Sequence, residues 1–324
     1  MLIRRKSTLS QVCGEVRNPV LADSPEVVLM RALCDGRTAD ALALFEEQKQ
    51  FGGPSAVDAP YGRFEGKNAI AGFADGWLAT FGATSASVQP VIQTRSGGRS
   101  VTEMDINFVV DGQINQVPMF VVGDLRAHHK LDEVRMYCNF SQVPGLTPYR
   151  KPIFKPAHLE MGDPALLTGA VKVYYDALHH VPGVDVDRIM RSMGENCLFG
   201  GYEPIGVEPH PSDRASLRKT YEHMATYIPK WVGMRYETLI DDGVTCVIEW
   251  VHIVTDAGVE EGNRVCLSGI AAYTRGEDGL LSSIRICDYA GYEKQIDWSQ
   301  TPIGKEEAFS INRVHTFPAG VGSR

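Results

Sequence analysis

The sequence predicts an α+β protein of two tandem domains, each with N-terminal helices packed on an antiparallel sheet. Two observations carry this. Helical periodicity precedes strand alternation in each half, rather than alternating with it, and the same order of elements occurs twice along 324 residues. In the first half, residues 25–48 carry a helical pattern with Ala41, Leu42, Leu44 and Phe45 in its second part, and 67–82 place Ile70, Phe73, Trp77 and Phe81 on one face. Strand-like runs follow near 88–94, 101–110, 117–125 and 132–140. In the second half, Val171, Tyr174, Tyr175 and Leu178 stand at i, i+3, i+4 and i+7, and Leu217, Tyr221, Met224 and Ile228 mark another helix. Strands are predicted near 234–241, 244–254, 265–275 and 281–289.

The two halves align by inspection. Val134-Arg135-Met136 lies over Ile284-Arg285-Ile286 and Val117 over Leu267, both at one and the same offset with no gap between them. Between the halves, Pro144, Pro148, Pro152, Pro156 and Pro164 read as a linker, since proline breaks helices and interrupts strand pairing. The expected domains are 20–155 and 156–300, with a loop-like tail at 301–324.

Composition narrows the function. With 32 Lys+Arg against 40 Asp+Glu the net charge is −8, and the one basic cluster is Arg4, Arg5 and Lys6, which argues against nucleic acid as a partner. Seven scattered cysteines without a C-x-x-C spacing fit buried reduced thiols in a cytoplasmic compartment better than a disulfide or zinc framework. No run reaches the length of a membrane span and no apolar leader follows the basic start, so neither a membrane nor a signal peptide is expected. His128-His129 and His179-His180 lack metal-pair spacing, and Gly97-Gly98 reads as a hairpin turn rather than a phosphate loop. No metal and no cofactor are expected.

The second half carries Val247-Ile248-Glu249-Trp250-Val251-His252, then Gly269 to Tyr273, then Glu277-Asp278-Gly279-Leu280, then Ile284-Arg285-Ile286-Cys287-Asp288-Tyr289. The first half shows Phe64-Glu65-Gly66-Lys67-Asn68-Ala69-Ile70-Ala71-Gly72-Phe73 before its sheet. In this order the segments resemble the nuclear transport factor 2-like superfamily, which includes ketosteroid isomerase, SnoaL-like polyketide cyclases and scytalone dehydratase. The resemblance implies a cone of helices and curved sheet around an apolar pocket in each domain. It also implies isomerisation, dehydration or cyclisation by acid–base groups, usually without a cofactor.

Isomerase-like members place an acid directly before a Pro-x-Gly. Here Glu203-Pro204-Ile205-Gly206 keeps it, so the resemblance makes Glu203 the candidate general base, against a plain reading as a solvated turn acid. In the first half Ala59 takes the place and Asp58 lies one residue away, which on extended chain faces it the other way. The family's oxyanion-holding tyrosine falls on Tyr175 or its neighbour Tyr174 in the second half and on Leu29 in the first; both tyrosines also read as core residues. The family's second acid falls on Ala271 and Val121, a departure that puts an identical mechanism in doubt.

Strand parity offers two substitutes. His252 shares an apolar row with Cys246, Ile248 and Trp250, and Asp288 shares one with Ser282, Ile284 and Ile286. Each also reads as a core group satisfied by a neighbour. Glu249 faces the other way and reads as an interface marker, and Glu103, Asp105 and Asn107 read as surface or interdomain groups.

The functional expectation is therefore a cofactor-independent isomerase or dehydratase acting by proton transfer on a hydrophobic carbonyl-bearing small molecule of steroid, terpenoid or polyketide type. Glu203, Tyr175, His252 and Asp288 are its candidate catalytic residues, and Tyr174, Trp250, Tyr221 and Tyr273 its candidate substrate contacts. The first domain is expected to be a degenerate structural copy forming an intramolecular pseudo-dimer with the second, with room left for a homo-oligomer. The alternative is a non-catalytic binding or assembly module whose cavity is filled by Trp250, Tyr221 and Tyr273.

Overall fold

The structure is a computed structural model, and it describes residues 20–50, 52–126, 129–138, 162–179, 183–200, 213–226, 231–255, 264–288 and 315–316, with 231–233, 252–255, 264–268, 288 and 315–316 given by backbone alone. The described chain forms two compact units, each α+β as predicted.

In the first unit, Pro25 opens helix α1 (Pro25–Cys34), its missing N–H being one that a first helical turn leaves unused. Gly36, at φ 65°, ends that run, so the periodic stretch 25–48 is broken and continues as a separate short helix α2 (Thr38–Ala43). Two short strands, β1 (Ala56–Ala59) and β2 (Gly62–Glu65), lead into helix α3 (Gly66–Thr80). Four long strands follow: β3 (Ser85–Ser96), β4 (Arg99–Val110), β5 (Gln113–Arg126) and β6 (Lys130–Cys138). Gly97 and Gly98, both at positive φ, make the tight turn between β3 and β4, as their dipeptide predicts. The sheet order is β2-β1-β6-β5-β4-β3.

The second unit runs α4 (Gly169–Leu178), α5 (Val186–Ser192), β7 (Met193–Phe199), α6 (Arg214–Met224), β8 (Trp231–Asp241), β9 (Thr245–Thr255), β10 (Arg264–Arg275) and β11 (Leu281–Asp288). With the two-residue strand β12 (His315–Thr316), the sheet order is β12-β8-β9-β10-β11-β7. Neither sheet is wholly antiparallel, which corrects the expectation. β1 pairs parallel with β6 and β7 parallel with β11. Each pair is joined by a long crossover through helix and strands, the kind of connection that parallel pairing needs.

The strand registers repeat with the offset read from the sequence. Val122 partners Arg135, and at that offset Ala272 partners Arg285; Met119 with Cys138 becomes Gly269 with Asp288 in the same way. One face of each sheet meets the helices. In the first unit Val27 and Met30 of α1 and Phe73 and Trp77 of α3 close over Met104, Ile106 and Phe108 of β4. The opposite face is buried too. Glu103 and Asp105 stand on it beside Val101, Phe120 and Val122, so they are not the solvated groups that alternation suggests. Glu249 is buried likewise. No helix among the described residues is long and apolar enough to cross a membrane.

Candidate active site

The helix-facing core of the second unit is unusual in its hydroxyl content. Gly169, at φ 55°, turns the chain into α4. Tyr174 and Tyr175 follow on the side that also buries Val171 and Leu178. Tyr221 comes from α6, Tyr236 from β8 and Tyr273 from β10, while Cys246 and Trp250 come from β9. All are buried.

The rings pack around Tyr273, whose centroid lies 5.2 Å from that of Tyr174 in a tilted contact and 5.4 Å from that of Tyr175 edge to face. Tyr175 also stands 5.9 Å from Tyr236 and 5.7 Å from His179. The hydroxyls couple in two pairs: Tyr174 Oη with Tyr221 Oη at 3.1 Å and Tyr175 Oη with Tyr273 Oη at 2.9 Å. In a pair of phenols one O–H donates and the other's hydrogen remains for a third oxygen. The Tyr175–Tyr273 pair thus keeps one donor in an apolar surrounding. Burial is the chief cause that pushes Tyr175, Tyr221 and Tyr273 well above the usual phenol range, with neighbouring phenols adding to it. These groups therefore serve as hydrogen-bond donors and not as bases at neutral pH.

Trp250 closes one side of this core. Its ring lies over Gly269, where a Cβ would stand 2.6 Å from Trp250 Cη2, so only glycine fits beneath it. Cys197 is also in the core, and burial pushes its thiol up to about 12, which makes it a packing group.

Of the residues expected from sequence, Tyr174, Tyr175, Tyr221, Tyr273 and Trp250 are brought together here. Glu203 lies outside the described residues. His252 and Asp288 are described by backbone only, His252 opposite Leu267 and Asp288 opposite Gly269. The register thus sets the Asp288 backbone next to the strand position under Trp250. Tyr236 was not singled out from sequence, although it shares strand parity with Met234, a row that faces the same core. In the first unit, Val57 and Ala59 belong to the apolar core, whereas Asp58 turns away and its carboxylate accepts a hydrogen bond from Arg63. Leu29 is a buried apolar residue there. Among the described residues no group of three His, Cys, Asp or Glu side chains could hold a metal ion.

The architecture defines an α+β chain of two units, each with helices laid on a mixed sheet. No family model matches the chain, and no curated protein matches it by sequence. It is similar to solved structures over about a third of its length. One is a hypothetical protein with a ketosteroid isomerase-like fold from Catenulispora acidiphila, at 17% identity and TM-score 0.32, covering 37% of this chain and 89% of that one. Another is an NTF2-like protein of unknown function from Cytophaga hutchinsonii, at 12% identity and TM-score 0.27, covering 38% and 93%. A third is a putative polyketide cyclase from Sinorhizobium meliloti, at 12% identity and TM-score 0.27, covering 35% and 92%.

Proposed function

We propose that the second unit binds a hydrophobic, carbonyl-bearing small molecule against the Tyr175–Tyr273 pair and moves a proton on it, as an isomerase or dehydratase. The observation that supports this reading is the coupled phenol pair with one donor to spare in an apolar core. In this mechanism Glu203 removes a proton from the carbon next to the carbonyl, and His252 with Asp288 is the alternative base. The electron pair moves into the carbonyl and leaves charge on its oxygen, which accepts the spare phenolic O–H. The proton then returns at another carbon, or a β-hydroxyl departs with it as water. A preorganised donor of this kind contributes about 10²–10³-fold to rate where charge develops on oxygen. The steroid, terpenoid or polyketide class of the substrate comes from the resemblance of the sequence motifs.

A second reading, a binding or assembly module without chemistry, is favoured by the way Trp250 packs onto Gly269 and the four buried phenols couple in two pairs. The two are separated by incubating the full chain in heavy water with cyclic enones, β-hydroxy ketones and steroid-like ketones. Mass spectrometry then follows deuterium uptake and loss of water. The enzyme reading expects exchange that Glu203→Gln abolishes and that Tyr175→Phe slows by about 10²-fold, both variants keeping the wild-type circular dichroism. No exchange on any compound, or equal exchange in both variants, would favour the module.

A further inference from the structure

The β4–β5 hairpin of the first unit is closed by a two-residue loop, Asp111-Gly112, between the register partners Val110 and Gln113. Asp111 stands at φ 50° and Gly112 at φ 74°, the paired left-handed conformation of a tight hairpin turn. That region is unfavourable for a residue with a side chain, so Asp111 loses little by leaving it when the tip opens.

An Asp-Gly pair is chemically exposed, because glycine has no side chain to shield its nitrogen from the carboxyl carbon before it. The sequence has five: Asp35-Gly36, Asp75-Gly76, Asp111-Gly112, Asp242-Gly243 and Asp278-Gly279. The fold holds the reacting groups of the others. Asp35 accepts hydrogen bonds from Arg37 at 3.1 and 3.2 Å, and the Gly36 N–H donates to the Leu33 carbonyl at 3.3 Å. Asp75 accepts from the Thr38 hydroxyl, and Gly76 lies inside α3, where its N–H belongs to the helix ladder. Asp278 accepts the Leu280 N–H at 3.0 Å, and the Gly279 N–H donates to the Gly276 carbonyl at 3.0 Å. Asp242 and Gly243 each interact with neighbours too. At the hairpin tip neither the Asp111 carboxylate nor the Gly112 N–H has a hydrogen-bond partner among the described residues, and both residues are exposed. A Cβ at Gly112 would meet no atom within 4 Å, so the loop has room to turn.

We infer that Asp111-Gly112 is a site of self-modification, where the folded chain converts aspartate to isoaspartate through a cyclic imide. The Gly112 nitrogen bonds to Asp111 Cγ and the Cγ–OH bond of the protonated carboxyl breaks. The hydroxyl leaves as water with the amide proton, so no oxidant or other reactant is needed. Water then adds to one of the two imide carbonyls. Addition at the main-chain carbonyl leaves the chain running through Cβ and Cγ, an isoaspartate of unchanged mass with one extra methylene in the main chain. That methylene lengthens a two-residue link between β4 and β5.

The test ages the full chain at neutral pH, with and without denaturant, and maps its peptides by electron-transfer fragmentation, which tells isoaspartate from aspartate. In the folded chain isoaspartate should accumulate at position 111 at least about fivefold faster than at 35, 75, 242 or 278, the factor that one hydrogen bond of typical net strength is worth. Denaturant should bring the five rates together, since it frees the groups that the fold holds. Asp111→Asn and Asp278→Asn probe the same two loops without the carboxyl, and deamidation, read by mass, should be the faster in Asp111→Asn by a similar factor. Equal rates at the five pairs in the folded chain, a preference for position 111 that survives denaturant, or equal deamidation in the two variants would overturn the site.

Discussion

The same buried arginine is treated in opposite ways by the two units. Arg135 donates to both carboxylate oxygens of Asp124, at 2.8 and 3.2 Å, and stands 3.8 Å from Glu133. Arg285, its register equivalent, donates to Thr274 Oγ1 at 3.0 Å and to Ser283 Oγ. Those hydroxyls occupy the register positions that Asp124 and Glu133 hold in the first unit. The core faces differ in the reverse sense. There the first unit has Gly123 where the second has Tyr273, and the cross-strand pair Met104–Met119 where the second has Trp250–Gly269. One backbone register thus supports carboxylates around Arg135 with an apolar core in one unit, and in the other hydroxyl contacts to Arg285, on a sheet face that also buries the Arg235–Glu237 ion pair at 2.7 Å, with a phenol-rich core. Register is set by the backbone ladder and by the burial of both faces, and the side chains differ within it.

The largest effect should come from the carboxylates around Arg135. Glu133 pairs with Lys49 at 3.0 Å and Arg63 at 3.2 Å. Burial works to raise its carboxyl, but Arg63, Arg135 and Lys49 outweigh that and hold it at about 2, below the usual 4.5. Removing it strands buried cations, so Glu133→Ala should cost about 3–5 kcal/mol. The pH dependence has a definite sign. A carboxylate lowered in the folded state stabilises fully above its unfolded value and loses that contribution as pH falls from about 4.5 toward 2. The unfolding temperature of wild type should therefore drop more steeply over that window than that of Glu133→Gln. Equal slopes would mean that these carboxylates contribute nothing particular to the first unit.

The second effect tests the core exchange. Gly269→Ala drives a Cβ to 2.6 Å from Trp250 Cη2 and 3.0 Å from the backbone oxygen of Cys287, and should cost about 1–3 kcal/mol by overpacking. Installing the first unit's solution, Trp250→Met together with Gly269→Met, should be closer to wild type than Gly269→Met alone. Denaturant unfolding of the three variants measures this. Additive costs would show that the large-over-small pairing is incidental.

How much of this was legible beforehand depends on the range of the interaction. The repeat offset could be read because β5, its turn and β6 match β10, its turn and β11 without insertion, and side-chain parity is a local property. The parallel pairs β1–β6 and β7–β11 could not, since they join segments far apart in the chain with nothing local to announce them. Glu103 and Asp105 misled because alternation with Met104 and Ile106 is also what a half-solvated strand shows, and only the packing of the second face distinguishes the two. The phenol cluster was half legible. Tyr174 and Tyr175 lie on one helical arc, but their partners arrive from α6 and β10, and which hydroxyl meets which is decided by tertiary packing. Glu26, buried in the first turn of α1, gave no signal, because an acid in a first helical turn reads as an ordinary exposed dipole partner.

The smallest difference lies at the helix starts. In the second unit Asp185 accepts a hydrogen bond from the Arg188 N–H at 2.9 Å and so caps α5. In the first unit Ser24, Arg37 and Glu65 precede their helices without any side-chain cap, and the Ser24 hydroxyl is buried with no hydrogen-bond partner. Asp185→Ala should therefore cost about 1 kcal/mol, as loss of an N-cap does. Ser24→Ala should be neutral or slightly stabilising, because it deletes a buried hydroxyl that makes no bond. Denaturation midpoints at neutral pH resolve the two. If Ser24→Ala costs as much as Asp185→Ala, its hydroxyl does bond in solution, and α1 begins as firmly as the capped helices of the second unit.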